Sequence, residues 1–300
     1  MAAEAKVVER ELRRASGGPP AGRDLPVRRQ RGRVLRRTLA GDPGQVYYLY
    51  LPTTGDLVNA RVLVSVHGIS RNAEEHAERF APLAEREGVI VVAPLFTERR
   101  FPGFQRLAAS GRRRPERVLE AIVAEVGALT GAFTGRLWMF GFSGGGQFVH
   151  RYALTAPHRV AAYAAGAAGW YTFPDANVRY PYGLATDAPA DGKRGRHFDP
   201  DAFLQVPASV LVGEWDGERD PSLKTSARLD RQQGHDRIER GRRWVDAMER
   251  AARGRGLSTT FRFRLLEGSG HSFTESMCFS GLGEQVFACL FAIAEPAVAD

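Results

Sequence analysis

The sequence predicts an α/β fold, with a mostly parallel central sheet covered by helices on both faces. Three observations predict it. Short apolar runs rich in branched and aromatic residues recur along the chain. Segments with helical spacing separate them. Several runs are apolar at every position, as expected of strands buried on both faces. Such alternation implies crossover connections and hence parallel strands. The chain has 300 residues, 43% hydrophobic and 25% charged, enough to bury about three quarters of its unfolded surface in one large domain. No internal repeat and no second domain is evident.

The elements follow in order. QVYYLYLP at 45–52 reads as a strand, and RVLVSVHG at 61–68 as a strand covered on both faces. Ala73, Ala77, Phe80, Leu83 and Ala84 recur at helical spacing, placing a helix over 73–87. VIVVAPLF at 89–96 is a further buried strand. A helix over 115–131 opens on Pro115 and closes on Gly131. RLWMFGFS at 136–143 is a strand, GGGQFVHRYALTAP at 144–157 a helix, and VAAYAAGAAG at 160–169 a weaker strand. ASVLVGEWD at 208–216 is a strand followed by a polar loop. The stretch 223–253 is polar and helical in pattern, 259–268 a strand, and 281–294 a final helix. The connection 170–207 is long for a loop and holds Trp170, Tyr171, Phe173, Tyr180, Tyr182, Phe198 and Phe203, the profile of a lid or binding wall.

Charge separates the ends from the body. Residues 1–38 hold 11 Lys/Arg against 4 Asp/Glu, almost the whole formal surplus of +8. Residues 1–41 therefore read as a basic, flexible arm and 42–300 as the domain. Such an arm could touch nucleic acid or an anionic surface, but it has no aromatics before Tyr47 on which bases could stack, and a solvated arm is the favoured reading. The longest uncharged stretch, 160–174, is shorter than the ~20 residues of a membrane-spanning helix. The first 18 residues carry charges every few positions with no apolar centre, so no signal peptide is expected and the cytoplasm is the default compartment.

The sharpest chemical signal is Gly141-Phe142-Ser143-Gly144-Gly145. This G-x-S-x-G pattern lies between a predicted strand and a predicted helix, the setting in which a serine is held on a tight turn with its hydroxyl exposed. Side chains at 141 and 145 would collide there. A serine needs a base, and the base an orienting acid. Asp216, three residues past Gly213 at the end of the strand at 208–216, is the expected acid, with Asp220 and Glu214 as competitors. His271, in the loop after the last strand, is the expected base, with Gly268 and Gly270 letting the loop bring its ring across to the serine. His76, His158, His197 and His235 read as surface residues, His150 as a packing residue, and His67 as part of a turn. A tetrahedral intermediate needs amide donors, each worth about 2.7–4 kcal/mol in the transition state. Gly144 supplies one. Ile69, in the turn after the strand at 61–68, supplies the other, with Ser70 as the alternative. Trp170, Tyr171 and Phe173 directly follow a strand end and are expected in the substrate pocket.

The order Ser143, Asp216, His271, with His67-Gly68 upstream, resembles the α/β-hydrolase superfamily over about 42–295. The segment HGISRNAEEHAERFAPLAEREGVIVVAP is similar to the polyhydroxyalkanoate depolymerase and feruloyl esterase branch. The resemblance implies cleavage of carboxylic esters through an acyl-enzyme, on a small-molecule ester or acyl substrate, with no metal and no cofactor. A peptidase or acyltransferase on the same three residues is the alternative, followed by a non-catalytic binding protein. No paired Cys/His spacing for zinc and no G-x-x-x-x-G-K-[ST] phosphate loop is present. Cys278 and Cys289 read as core thiols.

Overall fold

The computed structural model describes residues 30–107, 113–186 and 198–291. Its eight strands are β1 (Val34–Leu39), β2 (Asp42–Tyr50), β3 (Val62–Val66), β4 (Ile90–Pro94), β5 (Leu137–Phe142), β6 (Val160–Gly166), β7 (Ala208–Gly213) and β8 (Phe261–Leu266). They form one sheet in the order β1-β2-β4-β3-β5-β6-β7-β8. Only β2 runs against its neighbours. The helices are α1 (Ala73–Glu87), α2 (Pro115–Thr130), α3 (Gly144–Thr155), α4 (Pro200–Leu204), α5 (Ala227–Gln233), α6 (Arg237–Arg253), α7 (Phe273–Phe279) and α8 (Leu282–Phe291).

Each apolar run is buried on both faces because helices cover both. Along β3, Val62, Val64 and Val66 join one core while Leu63 joins the other. The first core takes Ile122 of α2, Phe148 of α3 and Trp244 of α6. The second takes Phe80 of α1 and Phe287 of α8. The Pro115 start and the Gly131 end of α2 stand as expected, Gly131 closing the helix at φ 77°.

Three expectations are corrected. Residues 34–39, assigned to the arm, belong to the sheet: Leu35 pairs with Leu49 and Thr38 with Val46. The arginines of β1 conceal the strand, yet Leu35 and Leu39 are buried between them. Residues 1–29 of that arm lie outside the described residues. The stretch 223–253 is two helices, parted where Gly234 takes φ 113°. Cys278 is exposed on α7 and only Cys289 is buried, both as free thiols. Within the 170–207 insertion, 187–197 (with His197) lie outside the described residues, and α4 buries Phe203 and Leu204. Among the described residues no helix is long and apolar enough to cross a membrane.

The parallel strands end at one edge, and loops at such carboxyl ends are where ligand sites form in open α/β sheets. The turn after β3, Ser143 after β5, Asp216 after β7 and His271 after β8 all lie there.

Candidate active site

Ser143 sits between β5 and α3 with φ 53° and ψ −112°. Few L-residues adopt that conformation, and it is held by surrounding structure. The Ser143 amide donates to the Gly166 carbonyl on β6 at 2.7 Å. A Cβ on Gly141 would lie 2.2 Å from the Gly145 backbone. A Cβ on Gly145 would meet a different neighbour, the Val66 carbonyl of β3 at 1.9 Å. The two glycines thus let the turn close on itself and α3 close on the sheet.

The other two side chains arrive on loops tied together by backbone. The Glu214 amide donates to the Leu266 carbonyl at 2.9 Å and the Trp215 amide to the Ser269 carbonyl at 2.9 Å. The loop after β7 therefore travels with the loop after β8. His271 Nδ1 lies 2.7 Å from Asp216 Oδ2, and His271 Nε2 lies 3.0 Å from Ser143 Oγ. A carboxylate only accepts, so Nδ1 carries the ring proton and Nε2 of the neutral imidazole accepts from the serine hydroxyl. Asp216 is 3% exposed. Its second oxygen accepts from Arg237 Nη1 at 2.9 Å.

The competing acids are engaged elsewhere. Asp220 accepts from the same Arg237 and from the Ser222 amide. Burial pushes its pKa up, but the Arg237 and Ser222 hydrogen bonds and the Arg237 charge outweigh this and hold it well below the usual carboxylate range. Glu214 is exposed and accepts from the Gly268 amide at 3.2 Å. Arg237 is the residue that sequence reasoning missed. It begins a polar helix and carries no motif, yet it is 1% exposed.

Gly144 opens α3, whose first bond runs from the Gln147 amide to the Ser143 carbonyl. The Gly144 amide thus belongs to the turn that lacks internal acceptors. A Cβ on Gly144 would lie 3.6 Å from Ile69 Cγ2, so the turn after β3 packs against the start of α3. Ser70 spends its hydroxyl on Asn72 Oδ1 at 2.8 Å. His67 holds this turn from below. Its Nε2 accepts from the Phe96 amide at 2.9 Å, so Nδ1 carries the proton and donates to the Gly68 carbonyl at 2.7 Å. Burial brings its pKa down to about 4. His150 is also buried, accepting from the Thr172 amide at 3.0 Å. His76, expected at the surface, is fully buried, bonded to Ser65 Oγ at 2.8 Å and stacked on Phe273 at 3.8 Å. His158 and His235 are exposed.

Two cavities share Ile69, Ser143 and Ser222. The larger, about 440 Å³, extends past His271 towards Phe273, Thr274 and Glu75. The smaller, about 140 Å³, extends past Gly144 towards Gln147, Trp170, Arg106 and Lys224. Trp170 lines the smaller cavity together with Ser143. Tyr171 and Phe173 do not: both lie in the core. Gln233 clamps the Tyr171 backbone, accepting from its amide at 2.9 Å and donating to its carbonyl at 2.8 Å. That turns the ring onto Trp244, 5.0 Å away, rather than over the site. Ser222 and Lys224, from the loop after β7, line the smaller cavity beside Trp170.

No family model and no curated protein matches the chain. Solved structures do. A poly(3-hydroxybutyrate) depolymerase of Bordetella parapertussis is 27% identical, with a TM-score of 0.69 over 89% of this chain and 92% of that one. A poly(aspartic acid) hydrolase of Sphingomonas sp. KT-1 is 24% identical, with a TM-score of 0.62 over 79% and 93%. A ferulic acid esterase is 18% identical, with a TM-score of 0.54 over 86% and 96%. The last two likenesses are of fold.

Proposed function

We propose that this chain, an α/β-hydrolase by its fold, is a serine hydrolase that cleaves carboxylic esters through an acyl-enzyme. One observation carries the reading: Ser143, His271 and Asp216 form an unbroken hydrogen-bonded line of 3.0 and 2.7 Å. Similarity to the depolymerase supports an ester as the substrate.

In this reading His271 Nε2 takes the Ser143 proton as Oγ bonds to the ester carbonyl carbon. The carbonyl oxygen becomes an oxyanion facing the Gly144 and Ile69 amides, donors that act where charge develops. Asp216 stabilises the imidazolium and keeps its ring oriented. The carbon–oxygen bond to the alcohol breaks, and the leaving oxygen receives the His271 proton. A water then attacks the acyl carbon, giving a proton to His271. The acid departs as that proton returns to Ser143 Oγ.

The test is a panel of p-nitrophenyl esters and aminoacyl anilides with fluorophosphonate labelling. Wild-type protein labels at Ser143 and turns over esters, and Ser143→Ala does neither. Labelling at another residue, or equal turnover by Ser143→Ala, overturns the reading. Anilide cleavage without ester cleavage points to a peptidase.

A further inference from the structure

The smaller cavity is a basic one, lined by Arg106, Lys224 and Arg237. Arg151, bonded to Gln105 and Gln147 of its lining, is fully buried. Among the described residues its hydrogen-bond partners are all neutral: Thr172 Oγ1 at 3.1 Å, the Gln105 carbonyl at 2.6 Å, and the Gln147 carbonyl and Oε1 at 3.2 and 3.3 Å. Among the described residues its Nη2 has no hydrogen-bond partner. The guanidinium lies 4.1 Å from the Trp170 ring that lines the cavity. Arg106 and Lys224, both exposed, line the same space. Among the described residues no carboxylate lies within salt-bridge distance of Arg106, Arg151 or Lys224. Lys224 Nζ donates instead to Tyr182 Oη at 3.1 Å and stands 5.2 Å from the Trp170 ring. Arg237, the remaining cation there, is neutralised by Asp216 and Asp220.

A buried cation without a counterion is costly, and the repulsion between Arg106 and Arg151 adds to the burial that brings the Arg151 pKa down to about 10. Arg151 also sets Gln147. Guanidinium only donates, so the Gln147 carbonyl end faces it and the NH₂ end is left to donate elsewhere. Arg106, Lys224 and the Gln147 side chain thus line one small space, with Arg151 behind Gln147, a donor set that suits a carboxylate.

The relation to Ser143 decides which half of an ester enters. His271 must hand its proton to the leaving oxygen, so the alcohol lies on the His271 side, in the larger cavity. The acyl chain lies on the other side, past Gly144. We infer that the smaller cavity binds a carboxylate at the far end of the acyl chain, making the substrate a hemiester of a dicarboxylic acid. The inference rests on the esterase reading and narrows it.

The experiment compares p-nitrophenyl hydrogen glutarate with its methyl ester, which matches it in length and leaving group but lacks the charge. For wild-type protein kcat/KM should favour the hemiester on the order of tenfold, as for a charge-assisted hydrogen bond. The preference should shrink at high salt and in the double variant Arg106→Gln/Lys224→Gln. Both side chains are exposed, so the core stays intact. A ratio of one or below, or a ratio the double variant does not move, overturns the inference while the esterase reading stands. So does a stronger gain from a carboxylate on the leaving phenol, tested with 4-carboxyphenyl butyrate. Absence of turnover with every ester defeats the esterase reading instead. Calorimetric titration of Ser143→Ala with glutarate then decides the cavity: binding weakened by the double substitution supports the anion site, and no binding removes it.

Discussion

Arg237 and Asp216 meet at 2.9 Å with side chains 1% and 2% exposed. Asp216 therefore has both oxygens occupied, one by the guanidinium and one by His271. Removing one member of such a pair strands the other. Arg237→Met should cost roughly 3–5 kcal/mol of stability, read as a lower urea midpoint, and should lower kcat/KM as the His271–Asp216 contact loosens. Asp220→Asn removes the partly exposed contact to the same arginine and should cost no more than about 1 kcal/mol. Equal losses in the two variants would show that Arg237 serves Asp220 rather than Asp216.

Ser143 carries its hydroxyl at a backbone cost. At φ 53° and ψ −112° any side chain is strained, and glycine is not. Ser143→Gly and Ser143→Ala both remove Oγ and should both be inactive on esters. The glycine variant should nevertheless be the more stable by about 1 kcal/mol or more. Chemical denaturation of the pair measures this directly, and an alanine variant as stable as the glycine one would mean that the turn stores no strain.

The sheet and the Ser143, Asp216 and His271 contacts were legible because both depend on local pattern. Unbroken apolar runs announced β3 and β4, and three loops after strands carried one hydroxyl, one carboxylate and one imidazole. What stayed hidden depends on long-range burial. Arg36 and Arg37 made β1 look like tail, although Arg37 Nε donates to Tyr47 Oη across the strand pair at 3.0 Å. His76 reads as polar helix, yet its turn of α1 faces Ser65 and Phe273. Tyr171 follows a strand end, but a glutamine 62 residues later fixes its direction. None of these partners is visible from local spacing.

Three buried histidines give the fold a pH dependence. Burial lowers the pKa of His67 from 6.5 to about 4, and lowers those of His76 and His150 well below the ordinary value. The folded protein holds them neutral while the unfolded chain protonates them near 6.5. Their contribution is therefore complete above that pH and is lost as pH falls from about 6.5 towards the folded values. For His67 alone the loss by pH 4 is roughly 3 kcal/mol. Unfolding free energy measured across this range should fall with acidity, and His67→Gln should start lower at pH 7 but decline less steeply. A wild-type profile flat from pH 7 to 5 would contradict this.

The glycines around Ser143 differ sharply in what they tolerate. At Gly145 an added Cβ meets the Val66 carbonyl at 1.9 Å, and at Gly141 it meets the Gly145 backbone at 2.2 Å. Neither contact is with a side chain that can rotate away. Gly145→Ala and Gly141→Ala must therefore push α3 off the sheet, and each should cost more than about 3 kcal/mol or give no soluble protein. At Gly144 the nearest atom is the Phe104 ring at 3.4 Å, an ordinary contact, and φ is not positive. Alanine is the better helix former by roughly 0.8–1.0 kcal/mol. Gly144→Ala should thus fold as well as the parent while its methyl, facing Ile69, narrows the passage to the smaller cavity. Its effect should fall on esters with long acyl chains and spare acetate esters. Expression level and an acyl-length series measure both halves, and an unfolded Gly144→Ala protein would refute the packing described for the start of α3.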